Sequence, residues 1–210
     1  MVEVKNLEGL EVERYTTKER IIHWWVGFSF LFLFLSGLGL FSPKFSWLLT
    51  VLGGKEFVRW LHPIVGIIFM VGIVRMYLSW GKDFKLDSED RVWLKNIKHY
   101  IRGEEEKLPP VGKYNAGQKL YGRVMIYGAV LFLISGIFMW YPLGFSKPIV
   151  RIAILVHELT FIILGPAFIV HVYMSALAMP GTLRAMITGK VSGLWALTHH
   201  PKWFNEALKK

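Results

Sequence analysis

Four of the seven histidines in this 210-residue chain lie within or at the ends of long apolar stretches: His23, His62, His157 and His171. A neutral imidazole binds transition metals and relays protons, and ionisable residues inside apolar spans usually have a function. The chain has no Cys, which excludes disulfides, thiolate zinc sites, iron–sulfur clusters and covalently attached haem. Any metal therefore has to be held by histidine or carboxylate.

The apolar stretches that carry these histidines predict membrane spans. A helix needs about 20 mainly apolar residues to cross a bilayer, and residues 21–41, 60–80, 121–141 and 149–179 qualify. The composition agrees, because 53% of the residues are hydrophobic and 19% are charged, against roughly 45–50% and 25% in soluble domains. We predict an all-α membrane protein, a four-transmembrane-helix bundle that forms one domain over residues 1–210.

The distribution of Lys and Arg predicts the orientation of these spans. The N-terminal segment carries Lys5, Arg14, Lys18 and Arg20, the middle loop from 81 to 123 carries ten, and the segment after Met179 carries five. The first and third loops together carry only five. Cytoplasmic loops hold the excess of Lys and Arg, so we predict that both termini and the middle loop are cytoplasmic. This topology explains the net charge of +10 without nucleic-acid binding.

The middle loop predicts a short interfacial helix over residues 88–102. Basic and apolar residues recur at helical spacing on two different stripes. The basic stripe is Arg91, Lys95, Lys98 and Arg102, and the apolar stripe is Trp93, Leu94, Ile97 and Ile101. Asp87 or Ser88 can cap the start of this helix, and Gly103 can end it. A plain solvated helix is the alternative.

The direction of each span predicts the depth of its histidine. The first span starts in the cytoplasm and places His23 near the inner face, whereas the second starts outside and places His62 near the outer face. In the fourth span His157 lies in the outer half. His171 follows fourteen residues later, roughly 21 Å deeper and within about 40° of the same direction. The depths therefore predict an outer pair, His62 with His157, and an inner pair, His23 with His171.

Paired histidines at two depths suit two haem b groups. Two axial imidazoles give a six-coordinate iron that is suited to electron transfer, and helix bundles build such sites from facing helices. Gly27 and Gly66 each follow one of the histidines by four residues, where a porphyrin could lie against the helix. A histidine-based proton or ion path and unrelated structural roles remain the alternatives.

An acid beside one of these histidines needs a separate explanation. His157-Glu158 begins like a zinc-protease motif, but Phe161 occupies the position of the second histidine, which excludes that motif. Glu158 is then expected to pair with Arg151 or to border a water path.

Other aromatic and imidazole side chains are expected to have no chemical role. Three histidines in cytoplasmic segments are expected to be solvated: His99, His199 and His200. Aromatic residues near span ends are expected to anchor the helices at the membrane interface. These are Trp24, Trp25, Trp60, Trp80, Trp140 and Tyr141.

The sequence resembles the gamma subunits of membrane-bound formate dehydrogenases, the cytochrome b556 subunits, over nearly its whole length. The matching segments are residues 20–24, 61–63 with Gly66, 111–119, His157, 169–174, 189–192, Trp195 and 199–203. Residues 111–119 read Val-Gly-Lys-Tyr-Asn-Ala-Gly-Gln-Lys, and with the four histidines in order they make the resemblance specific. The b-type subunits of hydrogenases and thiosulfate reductases share the four-helix plan and remain alternatives.

The resemblance implies ligands and a quinone. By it, His62 and His157 ligate the iron of the outer haem b, and His23 and His171 ligate the iron of the inner one. A menaquinone site beside the inner haem is implied for a second set of residues: Asn115, Gly117, Gln118 and His171. An amide side chain and an open glycine backbone suit a quinone carbonyl, although the same loop also suits a simple helix-entry turn.

The resemblance also implies partners. An iron–sulfur electron-transfer subunit and a molybdenum or tungsten catalytic subunit would dock on the outer face of a bacterial-type cytoplasmic membrane. This chain would pass electrons from the iron–sulfur clusters through the outer and then the inner haem to menaquinone, and would not itself oxidise formate. A structural anchor without a redox function is the remaining alternative.

Overall fold

The computed structural model describes Leu7 and residues 9–209, so Lys5 and Lys210 of the predicted charge count lie outside the described residues. In this part of the chain the fold is mostly helical, and four helices of 25 to 27 residues are long and apolar enough to cross a membrane. In chain order, the long helices are Thr17–Phe41, Lys55–Trp80, Ala116–Trp140 and Lys147–Tyr173. The prediction of four long apolar helices is confirmed.

The long helices begin before the apolar stretches that predict them. The first and second begin at Thr17 and Lys55, four and five residues ahead of the predicted spans, because polar residues complete their first turns. The fourth ends at Tyr173 and continues as a π-helix, Met174–Ala178, and the predicted span 149–179 covers both. Hydropathy therefore locates the apolar centre of each helix, and polar turns extend it.

The described residues fall into two compact units. The unit that we call the apolar unit comprises Ile21–Leu78 and Val124–His171. It holds most of the four long helices, and it also holds the helix Trp47–Val51 and the 3₁₀ turns Pro43–Phe45 and Pro142–Gly144.

Aromatic rings fill the centre of the apolar unit. The ring centroid of Phe30 lies 5.6 Å from that of Phe69 and 5.0 Å from that of Phe168, which joins the first, second and fourth long helices. The third and fourth long helices meet at Gly128, where an added Cβ would lie 2.4 Å from the Leu164 side chain. Glycine at this position allows the two backbones to approach.

The second unit, which we call the charged unit, comprises Met1–Arg20, Ser79–Arg123 and Val172–Lys210. Among its described residues, the strands Glu11–Glu13 and Lys190–Ser192 pair antiparallel, with Glu11 opposite Ser192. Its short helices are Ser88–Lys95, Ile97–Ile101, Thr182–Thr188, Gly193–His199 and Pro201–Ala207. Its 3₁₀ turns are Gly81–Phe84 and Glu105–Lys107.

The middle loop differs from its prediction, because the single helix expected over 88–102 is two short helices separated at Asn96. The Asn96 side-chain amide donates to the Val92 carbonyl at 2.9 Å, and such local bonds compete with helix continuation. Asp87 caps the first of the two helices, in a reciprocal pair of bonds with Asp90. Trp93, expected on the membrane-facing stripe, is buried against Leu108 and Ala116.

Candidate functional site

His62 and His157 face each other in the apolar unit. Their ring centroids lie 6.5 Å apart with an angle of 57° between the ring planes. His62 lies on the second long helix, and His157 lies on the fourth, beside the ring of Phe132 at 4.7 Å. The predicted association of these two histidines is present in the fold.

Each of these two rings meets a serine from a third element. The His62 Nδ1 lies 2.7 Å from the Ser36 hydroxyl on the first long helix. The His157 Nδ1 lies 2.9 Å from the Ser135 hydroxyl on the third long helix. The sequence analysis missed both serines. Their one signal is a Ser-Gly pair, Ser36-Gly37 and Ser135-Gly136, repeated in two apolar stretches.

His23 and His171 form the second facing pair of the apolar unit. Their ring centroids lie 6.2 Å apart with an interplanar angle of 49°. The Nδ1 of His23 is buried and has no hydrogen-bond partner among the described residues. The His23 ring also packs edge-on against Trp24 at 5.5 Å.

Both histidine pairs fit a metal ion held between two imidazoles. Metal–imidazole bonds are about 2 Å long, so two axial ligands must stand apart with their nitrogens free, and the two centroid separations allow this. In the described part of the chain, no group of three or more His, Asp or Glu side chains could hold a metal ion. The histidines are therefore arranged as pairs.

Glycines leave room beside the histidines for a planar group. A Cβ added at Gly27 or Gly66 would meet no atom within 4 Å. A Cβ added at Gly37 or Gly136 would lie 3.7 Å from the Cε1 atom of His62 or His157, respectively. The carbon Cε1 adjoins Nε2, the nitrogen that the serines leave free. The residues present thus fit a porphyrin with two axial histidines.

The residues of the predicted quinone site belong to different units. Asn115, Gly117 and Gln118 lie together at the start of the third long helix in the charged unit, whereas His171 belongs to the apolar unit. The Asn115 Oδ1 accepts from the Gln118 backbone N–H at 2.8 Å, and the Gln118 Oε1 accepts from the Asn115 N–H at 3.0 Å. The two side chains therefore cap the helix reciprocally, as a helix-entry turn does.

A buried arginine and histidine in the charged unit were not expected. Arg14 and His200 are only 5% and 2% exposed, so the expectation that His200 is solvated is wrong. The Nη2 of Arg14 donates to the His200 Nε2 at 3.0 Å and to the Lys113 carbonyl at 2.7 Å. The Nδ1 of His200 donates to the Gly112 carbonyl at 2.7 Å. The nine-residue loop is therefore bonded to both the N-terminal and the C-terminal segments of the charged unit.

One further expectation is corrected by the side-chain contacts. Trp80, expected to anchor the helix at the membrane interface, is buried in the charged unit, and its ring N–H donates to Glu19 at 2.7 Å. Of the two roles expected for Glu158, the ion pair with Arg151 is not formed between these two described residues, and the water path stays a prediction.

The four long apolar helices define a multi-pass membrane protein, and two facing histidine pairs lie within it. The chain belongs to the prokaryotic cytochrome b561 family, whose sequence model matches residues 14–189. Cytochromes b carry haem b, so family membership implies haem b binding.

Named relatives are similar over almost the whole chain. The formate dehydrogenase cytochrome b556(fdo) subunit of Escherichia coli K12 is 36% identical over 201 residues, which is 94% of both chains. The nitrate-inducible cytochrome b556(Fdn) subunit of the same strain is 37% identical over 194 residues, 91% of this chain and 89% of its own. The formate dehydrogenase cytochrome b556 subunit of Haemophilus influenzae is 32% identical over 208 residues, 98% and 86% of the two chains.

Proposed function

We propose that this protein is a di-haem electron-transfer subunit, with His62 and His157 as the axial ligands of one haem b and His23 and His171 as those of the other. The observation that carries the proposal is the facing of these histidines in two pairs, 6.5 and 6.2 Å apart between ring centroids. Haem b, when bound, supplies a one-electron iron couple.

The chain's own residues give each pair its properties. The serines that meet His62 and His157 leave the Nε2 of each ring available as a ligand. The rings of Phe30 and Phe34 both pack against Phe168, which makes the interior of the apolar unit aromatic at this point. Fourteen residues separate His157 from His171, which is roughly 21 Å along the helix, so the two pairs occupy opposite halves of the span.

The proposed complex is a formate dehydrogenase, which is what the relatives are named for. This subunit would anchor an iron–sulfur subunit and a molybdenum or tungsten catalytic subunit on the outer face of a bacterial inner membrane. With both termini and the middle loop in the cytoplasm, the His62–His157 site would be the outer one, on the side of the proposed iron–sulfur subunit. Formate oxidation is left to the partners.

Menaquinone is the proposed electron acceptor on the cytoplasmic side. The nine-residue loop, 111–119, would bind its carbonyl through the Asn115 amide and the Gly117 backbone, with Gln118 at the edge of the site. The support is the resemblance in this loop and the need for hydrogen-bond donors and protons at the aqueous surface.

The experiment is a reduced-minus-oxidised optical spectrum of the purified complex, with haem counted as the pyridine haemochrome. We expect two haem b per chain. Replacing either histidine of a pair with Ala removes one haem, and each pair loses a different one. His99→Ala, which changes a histidine of the charged unit that is bonded to Glu104, serves as the control and keeps both.

Other outcomes would overturn the proposal or one of its parts. A parent complex without haem would overturn the proposal, and pH-dependent ion flux in liposomes would then support a histidine proton path. Loss of the same haem from His62→Ala and His23→Ala would overturn the pairing. Reduction of the haems by hydrogen in place of formate, or oxidation of the reduced haems by thiosulfate, would assign the subunit to another complex.

A further inference from the structure

Two buried serines contact the His62–His157 pair through the Nδ1 atom of each ring. Ser36 and Ser135 are 0% and 2% exposed and lie 99 residues apart, on the first and third long helices. Each serine meets one histidine on a different helix, at 2.7 and 2.9 Å. The pair is therefore supported from four helices.

Each serine hydroxyl has a second acceptor besides the imidazole. The Ser36 hydroxyl lies 3.3 Å from the Leu33 carbonyl oxygen, and the Ser135 hydroxyl lies 2.6 Å from the Leu131 carbonyl oxygen. When the Nε2 of a neutral imidazole is the ligand, its proton is on Nδ1, so Nδ1–H donates to the serine oxygen and the single serine hydrogen goes to the carbonyl.

We infer that Ser36 and Ser135 are positioning residues for the haem held by His62 and His157, and that they lower its reduction potential. The inference rests on the proposed function. A hydrogen bond from Nδ1–H to an oxygen raises the basicity of the ligating nitrogen, which stabilises ferric over ferrous iron. Because both axial ligands have such a bond, both contribute in the same direction.

In the second histidine pair, at least one of the two rings, that of His23, has no serine bonded to its Nδ1 atom in the described part of the chain. The Nδ1 of His23 has no partner among the described residues, and no serine is bonded to it. The serines therefore bias the potentials so that the His62–His157 haem is the better electron donor of the two. This order suits electron flow from the proposed outer site to the inner one.

The test measures the potentials of both haems in Ser36→Ala, Ser135→Ala and the double variant. We expect optical redox titration of the purified complex to show one of the two waves shifted to a more positive potential and the other unchanged. Both single variants should shift the same wave, and the double variant should shift it further. Substitutions at two residues so distant in sequence should shift the same wave only if both residues act on the same haem.

Thr160→Val is the matched control. Thr160 is buried in the same unit, three residues after His157, and its hydroxyl donates to its own helix at the Val156 carbonyl, 2.7 Å away. This variant loses a buried hydroxyl and its hydrogen bond without touching a proposed ligand. Both potentials should stay at the parent values.

The haem count separates failure of this inference from failure of the proposed function. Two haems with unchanged potentials in all serine variants would overturn the inference and leave the function standing. Loss of only the His62–His157 haem would support positioning by the serines. If the Ala variants fail to assemble, Ser135→Cys, which has a side chain of similar size and a weak acceptor, should still raise the potential, and an unchanged value there would overturn the inference. A parent complex without haem would overturn the proposed function itself.

Discussion

The hydrogen bond between the buried residues Arg14 and His200 depends on the protonation state of the histidine. The guanidinium of Arg14 lies 5.0 and 4.9 Å from the Trp195 and Trp203 ring centres, within the range of cation–π contacts. No carboxylate contacts it among the described residues. Its bond to the Nε2 of His200 requires a neutral imidazole with its proton on Nδ1, the atom that donates to Gly112.

Acidification should therefore destabilise the charged unit. Burial, and then the charge of Arg14, hold the pKa of His200 well below its ordinary value of 6.5. Below about pH 6.5 the unfolded chain binds a proton at this residue that the folded chain does not, so the free energy of unfolding falls as the pH falls. The slope is at most about 1.4 kcal/mol per pH unit for one proton.

The measurement is the melting temperature of the detergent-solubilised complex between about pH 7.5 and pH 5.5. His200→Gln keeps a hydrogen-bond donor and an acceptor but does not titrate, so its melting temperature should fall less between these two pH values than that of the parent. His199, the neighbour of His200 in the chain, is bonded to Glu105 at 2.8 Å and is present in both proteins, so the difference between parent and variant is the informative quantity. Identical pH profiles would show that His200 does not carry this dependence.

At the scale of elements, hydropathy predicts the four long helices, but it does not predict the side-chain contacts between them or the structure of the middle loop. The apolar stretches predict all four, and their directions predict which histidines meet. Ser36 and Ser135 were missed because finding them requires the rotation of each helix about its axis, which span lengths do not contain. The break at Asn96 was missed because one side-chain bond to Val92 outweighs a continuous amphipathic pattern.

At the start of the third long helix, Asn115 could serve as a helix cap, as part of the proposed menaquinone site, or as both. Asn115 and Gln118 cap the helix through their side-chain oxygens. An amide nitrogen has two hydrogens, so helix capping by the oxygen and donation to a quinone carbonyl are compatible. At Asn115, the proposed menaquinone site therefore depends on the amide nitrogen and not on the oxygen.

Asn115→Asp separates the two roles, because aspartate caps a helix well but donates no hydrogen bond. We expect an unchanged melting temperature and haem content, with the KM for a soluble menaquinone analogue raised roughly three- to tenfold, as loss of one hydrogen bond implies. Asn115→Ala, the comparison variant, should also lose about 1 kcal/mol of stability. A normal KM in Asn115→Asp would leave this residue as a cap only.

The whole molecule separates charge from apolar surface along the chain. The apolar unit carries exposed hydrophobic side chains on all four long helices, including Leu78, Ile134 and Ile163, as expected of helices that face lipid. The charged unit contains the ion pairs of Lys113 with Glu19 and of Lys119 with Asp90. The excess of Lys and Arg in the charged unit predicts that its segments lie in the cytoplasm.

Single cysteines can test this topology, since the chain has none of its own. Ser146→Cys places an exposed thiol in the third loop, and Glu106→Cys places one in the middle loop. In intact cells, a membrane-impermeant maleimide should label Ser146→Cys, and it should label Glu106→Cys only after the membrane is opened. The cysteine-free parent measures background labelling. The opposite labelling pattern would contradict the proposed topology, because the His62–His157 site would then lie on the cytoplasmic side and the loop 111–119 on the outer side. Quinone reduction at that loop would take its protons from outside the cell, and electron flow to the quinone would not carry charge across the membrane in the proposed direction.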